Sequence, residues 1–316
     1  MPFTRIFFAT DVHGSEKCWI KFLNAASFYK VQYLILGGDV TGKAVIPIVK
    51  TSEGYDARFR GIKRQAKNDT ELTQLEKEIS DSGSYPYRTD PAEMEQLQTD
   101  EAKIQSIFVK LMLERLETWT KLASERLKNS GVNLYITGGN DDIAEIKSVI
   151  NKSDFVIDPE DKVVQIEGKY EMASLGMSNP TPWKTPRECS EEELWQKIET
   201  MTSQIKEMKS CIFNFHVPPV DTLISECQKL DENFKPVFMG SEPVIISGGS
   251  TSVRKAIEKY EPMLGLHGHI HESRGAIKVG KTLCINPGSE FGEGILRGAI
   301  VNLDGQSVKS YQLTAG

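Results

Sequence analysis

The sequence predicts an α/β fold built as a two-sheet sandwich with a mainly helical insertion. Three observations predict it. Short apolar runs of strand length alternate with helical patterns. Several runs end in loops carrying acidic, amide or imidazole groups, at the strand ends where open α/β sheets place ligands. After residue 42 this rhythm breaks, and short strands with glycine turns follow only toward the C-terminus.

Taken in order, Arg5–Thr10 reads as the first strand and Glu16–Tyr29 as a helix. Tyr33–Leu36 is a second strand, ending in Gly37-Gly38-Asp39. Residues 43–130 read as the insertion, leaving 1–42 and 131–316 as the core. Within it, Ala44–Lys50 and Tyr55–Arg60 form a strand pair, and Thr70–Ile79 and Pro91–Lys128 are helices. Residues 81–90, with Gly83, Ser84 and Pro86, read as a loop. The apolar stripe of the long helix is read as core packing, the alternative being a cap over the site or a subunit contact. Asn133–Thr137 is a strand leading into Gly138-Gly139-Asn140-Asp141-Asp142, with Asp142 capping a helix over Ile143–Ile150. Cys211–Phe215 and Met263–Leu266 are further strands. Ala276–Val279, Thr282–Ile285, Gly298–Leu303 and Val308–Leu313 are assigned together to the second sheet.

The chain has 316 residues, enough to bury a substantial core. Apolar content of 39% and charged content of 26% suit a soluble globular protein. A net charge of −6 offers no long-range attraction to nucleic acid or anionic membrane, which argues against a nuclease. The five cysteines form no Cys-x-x-Cys pair and fit reduced thiols in a cytoplasmic protein. No apolar run approaches the roughly 20 residues of a membrane-spanning helix.

All five histidines lie in or beside short motifs. Asp11 and His13, two residues apart at a strand end, can face one ion together. Asp39 ends the next strand and carries two oxygens able to bridge two cations. Asn140 offers a neutral amide oxygen, and His216 ends another apolar run. His269 and His271 are again two apart, after Gly268. This mixed nitrogen and oxygen set without thiolate suits Mn, Fe or Zn in a reactive rather than a structural site. His267 reads as a buried hydrogen-bonding group, and Trp183 as either pocket lining or packing.

In that order, Asp11-x-His13, Gly38-Asp39, Gly139-Asn140, His216 and Gly268-His269-x-His271 resemble the calcineurin-like metallophosphoesterase superfamily. The likeness runs from residue 5 to about 290 outside the insertion. Asn286-Pro287-Gly288-Ser289 and the Ser178–Trp183 loop resemble its Icc-like branch. The resemblance implies a four-layer α/β/β/α sandwich of two mixed sheets. It implies two divalent metal ions, with manganese favoured: Asp11, His13 and His271 on one, Asn140, His216 and His269 on the other, Asp39 between them. It implies hydrolysis of a phosphate ester, a diester ahead of a monoester, by a metal-bridging hydroxide. A small phosphorylated substrate is the expected partner, and self-association is compatible with the sequence. The alternative is a catalytically weak or inactive protein of this fold serving as a binding or scaffold module. The sequence departs from the family at Asp141, where a histidine assisting the leaving group is usual. Two neighbouring dications would lower that carboxyl's pKa and make it a poor acid.

Overall fold

A computed structural model describes residues 3–316. Two six-stranded mixed sheets face each other. The first has the order Ser307–Ala315, Arg297–Asp304, Thr4–Ala9, Tyr33–Leu36, Asn133–Ile136 and Val156–Ile157. Its last four strands are parallel, and the C-terminal hairpin adds to Thr4–Ala9 antiparallel. The second has the order Gly275–Val279, Thr282–Asn286, Leu264–Leu266, Cys211–Phe215, Tyr170–Leu175 and Val163–Ile166. Its inner four strands are parallel and its two edges antiparallel.

The layers follow from side-chain alternation along the strands, because successive residues point to opposite faces. Ile6 and Phe8 face the second sheet, in one core with Met172, Ile212 and Leu264. Phe7 and Ala9 face outward into a different core with helix α1 (Glu16–Phe28). In the second sheet Ile212 points inward, whereas Phe213 and Phe215 pack outward with Leu194 and Val253. Those two belong to helices that Ser190 and Ser250 cap, Glu191–Thr202 and Thr251–Tyr260. Each fully buried side chain of this size contributes roughly 1.5–3 kcal/mol, and Phe213→Ala would cost about 3–5 kcal/mol through transfer and cavity terms.

Residues 43–130 differ from the expectation in two ways. The stretch 81–90 is not all loop: Tyr85–Thr89 is a strand, parallel to Val45–Thr51, in a four-stranded sheet with Gly54–Phe59 and Ile62–Ala66. Pro86 falls opposite Ile46 there, and this edge position tolerates the missing N–H. The single long helix is two, α3 (Pro91–Leu97) and α4 (Glu101–Leu127), following α2 (Asp69–Asp81). Asp90 and Asp100 each accept the N–H three residues on, so both helices have their own start signal. The apolar stripe of α4 packs into the core beside α1, where Trp119 stacks on Trp19 at 4.8 Å with planes 3° apart.

The C-terminal strands divide between the sheets. Gly275–Val279 and Thr282–Asn286 join the second, but Arg297–Asp304 and Ser307–Ala315 complete the first. Alternation reveals a buried face but not its partner, so the sheet to which each strand belongs is not legible in the sequence. Residues 226–247 form a small arm with two short hairpins that the sequence pattern does not predict. No helix among the described residues is long and apolar enough to cross a membrane.

Candidate metal centre

Loops at the carboxyl ends of both sheets bring all seven expected ligand residues to one place. Oxygen and nitrogen atoms of Asp11, His13, Asp39 and His271 lie within 4.8 Å of one another. His13 Nε2 is 3.0 Å from His271 Nε2 and 3.6 Å from Asp39 Oδ2. On the other side, His216 Nε2 lies 3.4 Å from Asp39 Oδ2, and His269 Nδ1 lies 2.7 Å from Asn140 Oδ1. Asp39 therefore faces both groups. Asp11, His13, Asp39, Asn140 and His216 are buried, and His269 and His271 are partly exposed.

The loops are held in costly conformations. Asp11, His13, Asp39 and His269 have φ of 53°, 40°, 50° and 68°, a region that non-glycine residues avoid. Such strain persists only where surroundings over-determine it, and it concentrates at functional sites. The surroundings here are identifiable. The Asp142 carboxylate accepts from the N–H groups of Val40, Thr41 and Gly139 at 2.9, 2.8 and 2.7 Å. Asp142 thus ties the Asp39 loop to the Asn140 loop. It does not cap the following helix, which begins only at Ile146 and has no side-chain cap. Asn286 Nδ2 bonds the carbonyls of Gly268 and Ile270, and Ser289 Oγ donates to Asp11 O at 2.6 Å. Gly38, at φ 130°, admits the His216 ring: a Cβ there would sit 2.3 Å from Nδ1.

The donor set fits divalent cations. His216 Nδ1 is 3.1 Å from Gly37 O, which places its proton there and leaves Nε2 facing carboxylates without a hydrogen-bond partner. Burial opposes a charge on this ring, but the Asp39 and Asp11 carboxylates prevail and raise its pKa to about 9. A cation would replace that proton. The two facing Nε2 atoms of His13 and His271 pose the same need. The Asp39 carboxyl is held well below its usual range: burial raises it, but neighbouring His216, His13 and Lys43 outweigh that.

Asp141 stands at the edge of the cluster. Its Oδ2 is 4.0 Å from His13 Nδ1 and pairs with the Lys43 ammonium. Burial and the Asp39 charge raise its pKa, with Lys43 opposing. Lys43 is absent from the residues that the sequence singles out. Its nearness to Asp39 in the chain is the available signal, obscured by its place at the insertion boundary. His267 is buried, with Nδ1 2.8 Å from Phe215 O, and stands outside the cluster, as expected.

Arg115 of α4 fastens the residue 43–130 segment to the site, donating from Nη1 to Gly14 O at 2.8 Å and Ser84 O at 2.9 Å. Phe291 walls the site, its ring 4.6 Å from that of His13.

No protein-family model matches the chain. It is 33% identical over 151 residues to the uncharacterized protein MJ1162 of Methanocaldococcus jannaschii. That match spans 47% of this chain and 61% of the relative, less than two thirds of its length. Among solved structures, one aligns at TM-score 0.58 and 14% identity, covering 99% of this chain and 98% of the other. The protein TT1561 of Thermus thermophilus aligns at TM-score 0.55 and 12% identity, covering 99% and 98%. These likenesses concern the fold. The superfamily resemblance rests on the order of the sequence motifs, and the solved structures share the fold alone.

Proposed function

We propose that the protein hydrolyses a phosphate ester, a diester ahead of a monoester, at a centre of two divalent metal ions, manganese ahead of iron or zinc. The finer likeness, to the Icc-like branch, is part of this reading. The observation that carries it is the cluster itself, with a buried imidazole nitrogen of His216 turned unpaired toward two carboxylates. Asp11, His13 and His271 would hold one ion, and Asn140, His216 and His269 the other, with Asp39 shared. Bound there, such ions supply positive charge to phosphate oxygens and lower the pKa of a water nucleophile.

The remaining work falls to the chain's own groups. Gly37 O fixes the His216 tautomer, and Asp142 fixes the loops carrying Asp39 and Asn140. Lys43, half-exposed and engaged with Asp141, has donors left for an oxygen of the substrate. Burial keeps bulk water from the carboxylates and strengthens every charge interaction. The substrate is a small phosphorylated molecule, since the net charge of −6 gives no field for nucleic acid.

A second reading, a weakly active or inactive binding module, is favoured by the Lys43–Asp141 pair, which stands where leaving-group assistance is expected. The deciding test is hydrolysis of bis(4-nitrophenyl) phosphate with added Mn²⁺, with Asp39→Asn as control. Activity that vanishes in the variant supports hydrolysis. No activity under any divalent metal favours the binding module, and activity surviving the variant betrays a contaminant. Asp141→His then asks about the leaving group: a selective gain on alkyl over aryl diesters is expected, and no such gain would count against that role.

A further inference from the structure

Two segments rooted beside the cluster meet through exposed aromatic rings. The first is the loop from Ser178 to Cys189. Asn140 Nδ2 donates to Thr185 Oγ1 at 2.8 Å, and Arg187 donates from its N–H to Asn140 O at 3.0 Å. Within the loop, Glu188 Oε1 accepts from Thr181 Oγ1, Thr185 N and Thr185 Oγ1 at 2.5, 2.8 and 2.7 Å. These bonds fix Trp183, two residues from the one that Asn140 holds. The second segment is the 226–247 arm. Its root is fastened on the His269–His271 side, where Asn286 Nδ2 joins Ile224 O to the carbonyls of Gly268 and Ile270. Ser273 Oγ also donates to Glu226 O. The turn of the arm carries Phe234.

The Trp183 and Phe234 rings stack with centroids 6.2 Å apart and planes 26° apart. They nevertheless remain 60% and 53% exposed, so mutual burial does not account for them. Phe234 has φ 59°, a conformation that glycine or asparagine takes at lower cost than a bulky ring. The turn is built to hold it there. Asp231 Oδ1 accepts from Asn233 N at 2.8 Å and Lys235 N at 2.9 Å, and Phe234 N donates to Asp231 O at 3.0 Å. Two aromatic faces are thus held outward, on supports that also hold Asn140 and His269. Such surfaces bind flat π systems by stacking.

The geometry points to a subsite, formed by Trp183 and Phe234, for a planar aromatic group on the phosphorylated substrate. It rests on the phosphoesterase reading and narrows the substrate class. Esters carrying a nucleobase or an aryl ring are preferred over those of sugars or simple alcohols.

The test is binding of adenosine 5′-monophosphate, phenylphosphonate and ribose 5-phosphate to the Mn²⁺-loaded full chain, by calorimetry and tryptophan quenching. At least one of the first two binds about tenfold more tightly than ribose 5-phosphate, and which of them does separates nucleobase from aryl recognition. Trp183→Ala closes the gap and Trp183→Phe retains it. Phe234→Gly also narrows the gap, without lowering Tm, because it relieves the positive φ. Equal affinities, a gap that survives Trp183→Ala, or a lower Tm with an unchanged gap in Phe234→Gly would overturn the subsite. Ribose 5-phosphate binding without aromatic preference sinks the subsite alone. If no phosphate compound binds and no diester is cleaved, the phosphoesterase reading falls and the subsite with it.

Discussion

The two sheets bring different chemistry to the same point. The first supplies Asp11, Asp39 and Asn140, with His13 as its one imidazole. The second supplies imidazoles alone: His216, His269 and His271. The oxygen-rich half is held by main-chain N–H groups, as where Asp39 Oδ1 accepts from Asp141 N at 3.0 Å. The imidazole half is held partly by the first sheet's loops. His216 leans on Gly37 O, and His269 N donates to the Asp11 carboxylate at 3.2 and 3.1 Å. One half gathers negative charge, and the other offers imidazole nitrogens, where a cation would replace the proton of His216. A cation answers both needs, so the centre belongs to the interface between the sheets and not to either sheet.

Breaking the oxygen side should have the largest effect. Asp39→Asn removes the one charge that faces both groups, and the rate of aryl diester hydrolysis with Mn²⁺ should drop on the order of 10³-fold. The loss should accompany lower bound metal, measured by elemental analysis. Asp142→Ala attacks the scaffold of the same half. It strands three buried N–H groups, and urea unfolding should show a loss of about 4 kcal/mol. Full stability in that variant would mean water replaces the carboxylate.

The imidazole side can be sharpened through His267, which holds its loop without joining the cluster. Burial lowers this ring's pKa to about 4, with the Phe215 and Val217 carbonyls opposing. Because the folded value lies below the unfolded one, its stabilising effect is complete above about pH 6.5 and is lost as pH falls through 4. On the order of 3 kcal/mol is at stake. The stability gap between wild type and His267→Asn should be constant above pH 6.5 and shrink below it. A gap independent of pH would refute the buried neutral ring. Smallest in effect is Lys43→Met, which keeps the stem and removes the charge. Inorganic phosphate should bind the Mn²⁺-loaded variant about tenfold more weakly, and unchanged affinity would make Lys43 a partner of Asp141 only.

The residues of the centre are legible because strand ends and local spacing write them into the chain. Asp11 and His13, or His269 and His271, are neighbours in any fold that ends a strand there. Less legible are features set by remote partners. Asp142 has the local context of a helix cap, but its oxygens are taken by Val40 and Thr41, about a hundred residues away. Residues 81–90 read as a loop because Gly83 and Pro86 mask a strand whose pairing with Val45–Thr51 supplies its order. Trp183 gives no sign of Phe234, since the two meet only when both segments are anchored.

The sequence by itself determined the alternation of strand and helix, the kinds of donor atom and their order along the chain. Periodicity and short-range spacing are local properties, and local properties survive without a partner. Only the tertiary structure decided which sheet takes the last hairpin, that the long helical stretch is two helices, and that Lys43 answers Asp141. It also decided that carboxylates from one sheet face lone pairs from the other. Those outcomes depend on packing and charge between residues far apart in the chain, which no local pattern encodes.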